Sequence, residues 1–395
     1  HLGRALKGRG HCVTVITSAF FEDLPRRAGL QVIGLGTVAD YQAITAHPDL
    51  WHPSKGPMLV AEHVVVPLIR PLYEIVSRFD PANCVALGPN IAFGARIAQE
   101  KLGLPLATFY LQPAYLRSLH ETPRISGLPL PGWCPRPLKR IVFRGVDRVQ
   151  DKIFLPALNG LRAELRLPPI EDPCSVWLDS PRSIIGLFPH WFAPPQPDWP
   201  RQTRLTGFLS DDGGEGEALA PEVRRFLDAG EPPIAFTPGT AMRQGRQFFL
   251  ESIKACQLLG RRGLLLTPYR DQVPATLPDE IRHFDYIPFG QLMPRVATLA
   301  HQGGIGTLAR ALAAGVPQLV MPNAYDQPDN AARLERLGVG ASIPPQKYRG
   351  RAVAEKLTSL LTSPRVRARC QAVSGKFRAD RPVDAACLLV EQLAR

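Results

Sequence analysis

The sequence predicts an α/β protein in two halves, each built on a parallel, doubly wound sheet. Three observations carry this. Short apolar, β-branched runs alternate with helical stretches in both halves, the pattern of strand–helix–strand units. A stiff Pro-rich stretch (Pro194-Pro-Gln-Pro197) and a flexible acidic one (Asp211-Asp-Gly-Gly-Glu-Gly-Glu217) separate the halves. The length, 395 residues, suits two domains of about 100–200 residues each.

The elements follow in order. His1 to Arg9 reads as a helix closed by Gly10, and Cys12 to Thr17 as a buried strand. Gln31 to Leu35 is a second strand. Met58 to Phe79 has helical periodicity that Pro67 and Pro71 must kink or split. Cys84 to Leu87 (strand), Ile91 to Leu102 (helix) and Pro105 to Tyr110 (strand) come next. Arg117 to Pro137 is a long irregular loop, Lys139 to Arg166 is helical, and Ser183 to Phe188 is a strand. The second half repeats the alternation. Its strands are Ile234 to Thr237, Gly263 to Thr267, His283 to Ile287, Val296 to Ala300 and Pro317 to Met321. Its helices are Gln247 to Leu259, Thr307 to Ala314, Pro328 to Leu337 and Arg351 to Leu361, with Pro382 to Leu393 closing the chain. The halves share an architecture without a sequence repeat.

Composition excludes several classes. With 45% hydrophobic and 21% charged residues the chain is globular, not disordered. The seven cysteines (Cys12, Cys84, Cys134, Cys174, Cys256, Cys370, Cys387) form no C-x-x-C pair, which argues against a disulfide framework or a zinc ribbon and for a reducing, cytoplasmic setting. No apolar run reaches the roughly 18 residues that span a bilayer, and no signal peptide is expected from the residues given. The chain opens at His1 without Met, already in a helical pattern, so an upstream segment is expected. The net charge of +12 admits phosphate-bearing ligands, nucleic acid or an anionic membrane. The densest basic group, Arg365, Arg367, Arg369, Lys376, Arg378 and Arg381, reads either as a solvated helix face or as a hold on anionic lipid.

The most informative segment is His301-Gln-Gly-Gly-Ile-Gly-Thr307, which follows a strand and opens a helix. Glycines let backbone approach an anion, and the helix start supplies free N–H groups and the positive end of its dipole. A phosphate or diphosphate is the expected ligand, and a ligand-free turn is the alternative. Gly304-x-Gly306-x-x-Ala309, with Asp326 about 20 residues on, also satisfies the dinucleotide fingerprint. That fingerprint belongs on the first strand of its domain, and here several strands precede it.

From Gly303 the chain reads Gly-Gly-Ile-Gly-Thr-Leu-Ala-Arg-Ala-Leu-Ala-Ala-Gly-Val-Pro-Gln-Leu-Val-Met-Pro-Asn-Ala-Tyr-Asp-Gln-Pro-Asp-Asn-Ala. This closely resembles the nucleotide-sugar signature of the family 1 glycosyltransferases, especially the bacterial sterol, macrolide and rhamnolipid types. Phe236-Thr-Pro-Gly-Thr240, Tyr286-Ile-Pro-Phe289, Trp199 to Phe208 and Leu2 to Thr17 resemble further segments of that family. The likeness covers most of the chain and is stronger in the second half.

The resemblance implies the GT-B architecture, two facing Rossmann-like domains with a cleft between them. Residues 1–208 would bind the acceptor and 209–380 the donor, with 381–395 packing back on the first domain. It implies that Gly239, Thr240, His301, Gln302, Gly303, Gly304, Gly306 and Thr307 hold the donor diphosphate. Tyr286, Ile287 and Phe289 would hold the nucleobase, although those aromatics could equally be core. Asp326 and Gln327 would hold the sugar hydroxyls, and Asp326 could also serve as a helix N-cap. The implied reaction is inverting transfer of a hexose from a UDP- or TDP-sugar to a hydroxyl of a lipophilic small molecule. No metal and no cofactor beyond the donor are expected, nor nucleic acid. A peripheral membrane contact is allowed.

Two departures stand out. Gln302 occupies a position where bacterial members usually carry His, and it cannot carry charge. The family's first strand and the loop after it, which bears a catalytic residue, would lie upstream of His1, so no base is named and the N-terminal domain lacks its first strand. His47, His52 and His63 match no tight metal site. His120-Glu121 is a weak candidate for reaching the acceptor. Apolar stretches at Val64 to Ile69, Leu111 to Leu119 and Leu128 to Trp133 suit a lipophilic acceptor or ordinary core. A non-catalytic nucleotide-sugar binder, a GT-B epimerase and a NAD-dependent oxidoreductase are the rival readings.

Overall fold

The computed structural model describes residues 1–128, 130–209 and 219–394. The acidic stretch expected at the domain boundary, Asp211 to Glu217, lies outside the described residues, as does the side chain of Arg378. The chain forms two compact units. One comprises His1–Pro123, Gly127–Leu209 and Arg381–Arg395, and the other Arg124–Ser126 and Ser210–Asp380.

The first unit carries two parallel sheets. β1 (Thr14–Ser18) pairs with β2 (Gln31–Leu35). β3 (Ala86–Pro89), β4 (Leu106–Tyr110), β5 (Ile184–Gly186) and β6 (Thr203–Leu205) form a four-stranded sheet in that order. β1 was expected to be buried and is instead half-buried along its length. Among the described residues it pairs on one edge only, which leaves its side chains partly open. The proline-bearing stretch divides as expected, into helices Lys55–Val60 and Val66–Val76 joined by a π-type turn at Ala61–Val65. Pro67 sits in the first turn of the second helix, where its missing N–H costs nothing. Leucine and aromatic side chains from Val66–Val76, Phe93–Leu102 and the 29-residue helix Arg136–Glu164 make one core around Phe93, Ile97, Phe154, Leu158 and Trp177. The closing helix Pro382–Leu393 packs Ala386, Val390 and Leu393 against Ala107, Ile185 and Leu187. Glu391 on that helix accepts from Arg9 Nε at 2.7 Å, which holds its carboxyl near 2.

The second unit is a continuous six-stranded parallel sheet. β7 (Ile234–Thr237), β8 (Gly263–Leu266), β9 (Ile281–Phe284), β10 (Thr298–His301), β11 (Gln318–Val320) and β12 (Gly340–Ser342) stand in the order β12-β11-β10-β7-β8-β9. β7, β8, β10 and β11 are buried throughout, as parallel strands covered on both faces must be. Phe236, Phe249, Leu265, Tyr348 and Leu357 fill one face, and Leu264, Ile287, Leu292, Leu299 and Ala311 the other. The expected strand His283 to Ile287 is displaced to β9, so Tyr286 and Ile287 fall in the loop beyond it.

Candidate functional site

Parallel pairing fixes which loops meet. β10 lies between β7 and β11, with Thr237 opposite His301 and His301 opposite Val320. The segments leaving the C-terminal ends of these strands therefore emerge side by side, the usual ligand edge of an open α/β sheet. They are Pro238-Gly239-Thr240, Gln302 to Thr307, and Met321 to Gln327.

Gly303 adopts φ +96, and a Cβ there would stand 2.8 Å from Val320 Cγ1 and 3.3 Å from the Gln327 carbonyl. Only glycine combines that backbone with that closeness. The chain then enters the helix Ile305–Ala314 through Gly304, which offers no capping side chain. The N–H groups of the first turn thus have no intrahelical acceptor and face the same edge. Gly239 also has φ +96, and a Cβ on it would meet Gln302 Nε2 at 2.4 Å. The Gln302 amide lies across Gly239, joining the two glycine segments. Its buried Oε1 has no hydrogen-bond partner among the described residues. Thr240 is exposed beside it.

His301, expected at the diphosphate, is fully buried instead. Its Nδ1 accepts the Gly303 N–H at 3.1 Å, so Nε2 carries the proton and donates to Gln318 Oε1 at 2.9 Å. Burial pushes its pKa down to about 4 and keeps the ring neutral. Both nitrogens are spent on shaping the loop, so this side chain positions Gly303 and leaves no atom for a ligand.

The third segment turns sharply. Tyr325 has φ +60, a left-handed conformation rare for a side-chain-bearing residue and worth about 1–3 kcal/mol of strain. Asp326 and Gln327 follow at the start of the helix Gln327–Leu337. Gln327 is buried, and its Oε1 accepts from the N–H groups of Asn323 (2.8 Å) and Ala324 (3.2 Å), holding the turn closed. The Asp326 side chain makes no N-cap bond. Its Oδ2 accepts from Asn330 Nδ2 at 2.6 Å, and the same Nδ2 donates to the Gly303 carbonyl at 2.9 Å. Burial raises the Asp326 carboxyl to about 6, against the partial relief of the Asn330 bond. Asn330 was not singled out from sequence. Its spacing, i+4 from Asp326 on one helix face, is the signal that could have found it. Its own Oδ1 is buried without a partner among the described residues.

The expected base contacts separate. Ile287 is buried in the core, and Phe289 is half-buried against the same core with the Arg310 guanidinium 5.9 Å from its ring centroid. Tyr286 is 69% exposed and keeps an open aromatic face.

In the first unit, His47 and His52 use Nδ1 to accept backbone N–H groups at the starts of short turns. Among the described residues no group of three or more His, Cys, Asp or Glu is placed to hold a metal. His120 is exposed on a loop that Asp198 holds, accepting from Ser118 Oγ at 2.6 Å and the Leu119 N–H at 2.7 Å.

A Rossmann-like unit with an uncapped glycine-rich helix start beside a half-buried carboxylate is one class of ligand-binding α/β fold. Comparison with known proteins makes it specific. Residues 266–390 match the family described as Erythromycin biosynthesis protein CIII-like, C-terminal domain. O-mycaminosyltylonolide 6-deoxyallosyltransferase of Streptomyces fradiae is 33% identical over 240 residues, 60% of this chain and 56% of that protein. Vancomycin aglycone glucosyltransferase of Amycolatopsis orientalis is 32% identical over 336 residues, 77% of this chain and 72% of that protein. The solved structure of glycosyltransferase VinC in complex with DTDP superposes with a TM-score of 0.68 at 17% identity, covering 100% of this chain and 94% of that one. The chain belongs to the family 1 glycosyltransferases and has their GT-B fold.

Proposed function

We propose that this chain transfers a hexose, with inversion, from a UDP- or TDP-linked sugar to a hydroxyl group of a lipophilic small molecule. The observation that carries the reading is one edge of the second unit's sheet, where the uncapped start of Ile305–Ala314 and the half-buried Asp326 meet. The names of the relatives, which act on macrolide and glycopeptide compounds, and the DTDP of the VinC structure support it.

The residues divide the work by chemistry. Gly239, Thr240, Gly303, Gly304, Gly306 and Thr307 bind the diphosphate through backbone N–H and hydroxyl donors. Gln302 lends its amide without charge. Tyr286 stacks on the base, with Ile287 and Phe289 beneath. Asp326 accepts from a sugar hydroxyl, and Gln327 fixes the turn that presents it.

In the reaction the acceptor oxygen forms a bond to the anomeric carbon while the bond to the diphosphate breaks. The electron pair leaves with the diphosphate, and the acceptor proton passes to a general base. Negative charge grows where the helix start points, an interaction worth up to about 2 kcal/mol at a partly buried site. The nucleotide sugar is a co-substrate, and the reading requires no metal or other cofactor. The setting is cytoplasmic.

The test is incubation with UDP- and TDP-sugars and a panel of macrolide, glycopeptide-aglycone and sterol acceptors, followed by mass spectrometry and anomeric analysis of the product. A glycoside of inverted configuration is the expected outcome. Sugar isomerisation without acceptor, or a product of retained configuration, would overturn the reading.

A further inference from the structure

The first half of the helix Arg136–Glu164 has a surface that its own unit does not use. Its inner seam is conventional, with Phe143 and the carboxylates of Asp147 and Asp151 buried. Its outer face lacks the mixed charge of a solvated helix. Leu138, Ile141 and Val149, three and then eight residues apart, fall on one side of the helix and are 50%, 65% and 49% exposed. Arg136, Arg140, Arg144, Arg148 and Lys152 recur every four residues along the flank of that row, all exposed. None of the five makes an ion pair among the described residues. The only acidic residues between 130 and 153 are the two buried aspartates. Immediately before the helix, Trp133 is 84% exposed, the most exposed large apolar side chain described.

Scattered exposed leucines mean little, but an apolar row flanked by unpaired cations and headed by a bare indole is a combination with one good solvent. Indole rings favour the bilayer interface, the apolar row suits the boundary of the acyl chains, and arginine stems reach up to lipid phosphate. Nucleic acid would use the cations and leave the row exposed. We propose that this helix face docks the protein onto an anionic phospholipid surface. The second basic group, on Pro364–Ala379, is a contrast. Arg365, Arg367 and Arg369 are exposed there with no large apolar side chain exposed among them, so they belong to a solvated face.

The test is flotation with vesicles of phosphatidylcholine mixed with phosphatidylglycerol, and with phosphatidylcholine alone. The native protein should bind the mixed vesicles and release them at high salt. The combined substitution Arg140→Glu, Arg144→Glu and Arg148→Glu should lower that affinity at least about 100-fold, at about fivefold for each arginine lost and more for the negative charges added. Arg365→Glu, Arg367→Glu and Arg369→Glu together should leave it near the native value. Tryptophan emission should shift to the blue on the mixed vesicles, and the shift should vanish in Trp133→Phe. Circular dichroism melting confirms that each variant is folded. Absence of binding to the mixed vesicles overturns the proposal, as does binding that survives charge reversal on the helix. Self-association abolished by Ile141→Ser, without vesicle binding, would assign the face to a second copy of the chain and overturn it as well.

Discussion

The two units handle the C-terminal ends of their strands in opposite ways. In the second, every strand around the site is buried, and two polar side chains there hold fixed partners: His301 with Gln318 and the Gly303 N–H, Asn330 with Asp326 and the Gly303 carbonyl. In the first, β1 is half-buried, and beyond it stands an exposed aromatic group in which Phe20 stacks on Tyr41 at 4.1 Å and Phe21 meets both edge-on. A lone carboxylate must be aimed and kept from water, which requires a rigid sheet beneath it. Apolar contacts are non-directional and tolerate a looser frame.

The largest predicted effect uses two glycines of nearly equal backbone conformation. Gly303 in the second unit has φ +96 and close neighbours, while Gly10 in the first has φ +94 and nothing within 4 Å. Gly303→Ala should cost about 2–4 kcal/mol, strain plus displaced packing, and Gly10→Ala about 1 kcal/mol, strain alone. Urea unfolding measures both. Equal costs would mean that the site loop is no more constrained than a surface turn.

Asp326→Asn sharpens the comparison by pH. The folded carboxyl titrates near 6, above its unfolded value of about 3.8, so its contribution to stability is present below pH 4 and lost as pH rises through 6. At pH 7 the neutral amide should therefore raise stability, by about 1–3 kcal/mol, while weakening donor binding. A melting temperature that fails to rise between pH 6 and 8 relative to the native protein would show that Asp326 carries no buried-charge penalty.

Asn330→Ala should cost about 1–3 kcal/mol, since it frees the Gly303 carbonyl and removes a donor from Asp326. It should also move the pH midpoint of donor binding upward, because the lost bond favoured the ionised carboxylate. A merely structural asparagine would leave that midpoint in place. The smallest effect is on the other side: Phe20→Ala should cost only about 0.5–1.5 kcal/mol of ring contact.

Much of the second unit was legible because its signals are local. Glycines between a strand and a helix, a proline before β11 and the run to Ala331 mark a turn wherever they occur, and the resemblance rests on them. The roles of individual side chains were less legible. A histidine ending a strand can face a ligand or the core, and only Gln318, 17 residues away, decides that His301 faces the core. The openness of β1 depends on what pairs with its other edge, and the left-handed turn at Tyr325 is dictated by Gln327 closing on Asn323 and Ala324 rather than by tyrosine itself. Asn330 lay inside the quoted signature unnoticed because its partners are backbone at Gly303 and a carboxylate four residues away.

The most direct test of the central claim, that the half-buried Asp326 beside an uncapped helix start is a nucleotide-sugar site, is calorimetric titration of the native chain and of Asp326→Ala with UDP, UDP-glucose and TDP-rhamnose. The account predicts about micromolar binding of one nucleotide sugar, with the free nucleotide bound through the diphosphate in both proteins and the sugar's share of the affinity lost in the variant. Nucleotide-sugar binding that is unchanged in a folded Asp326→Ala protein would contradict it.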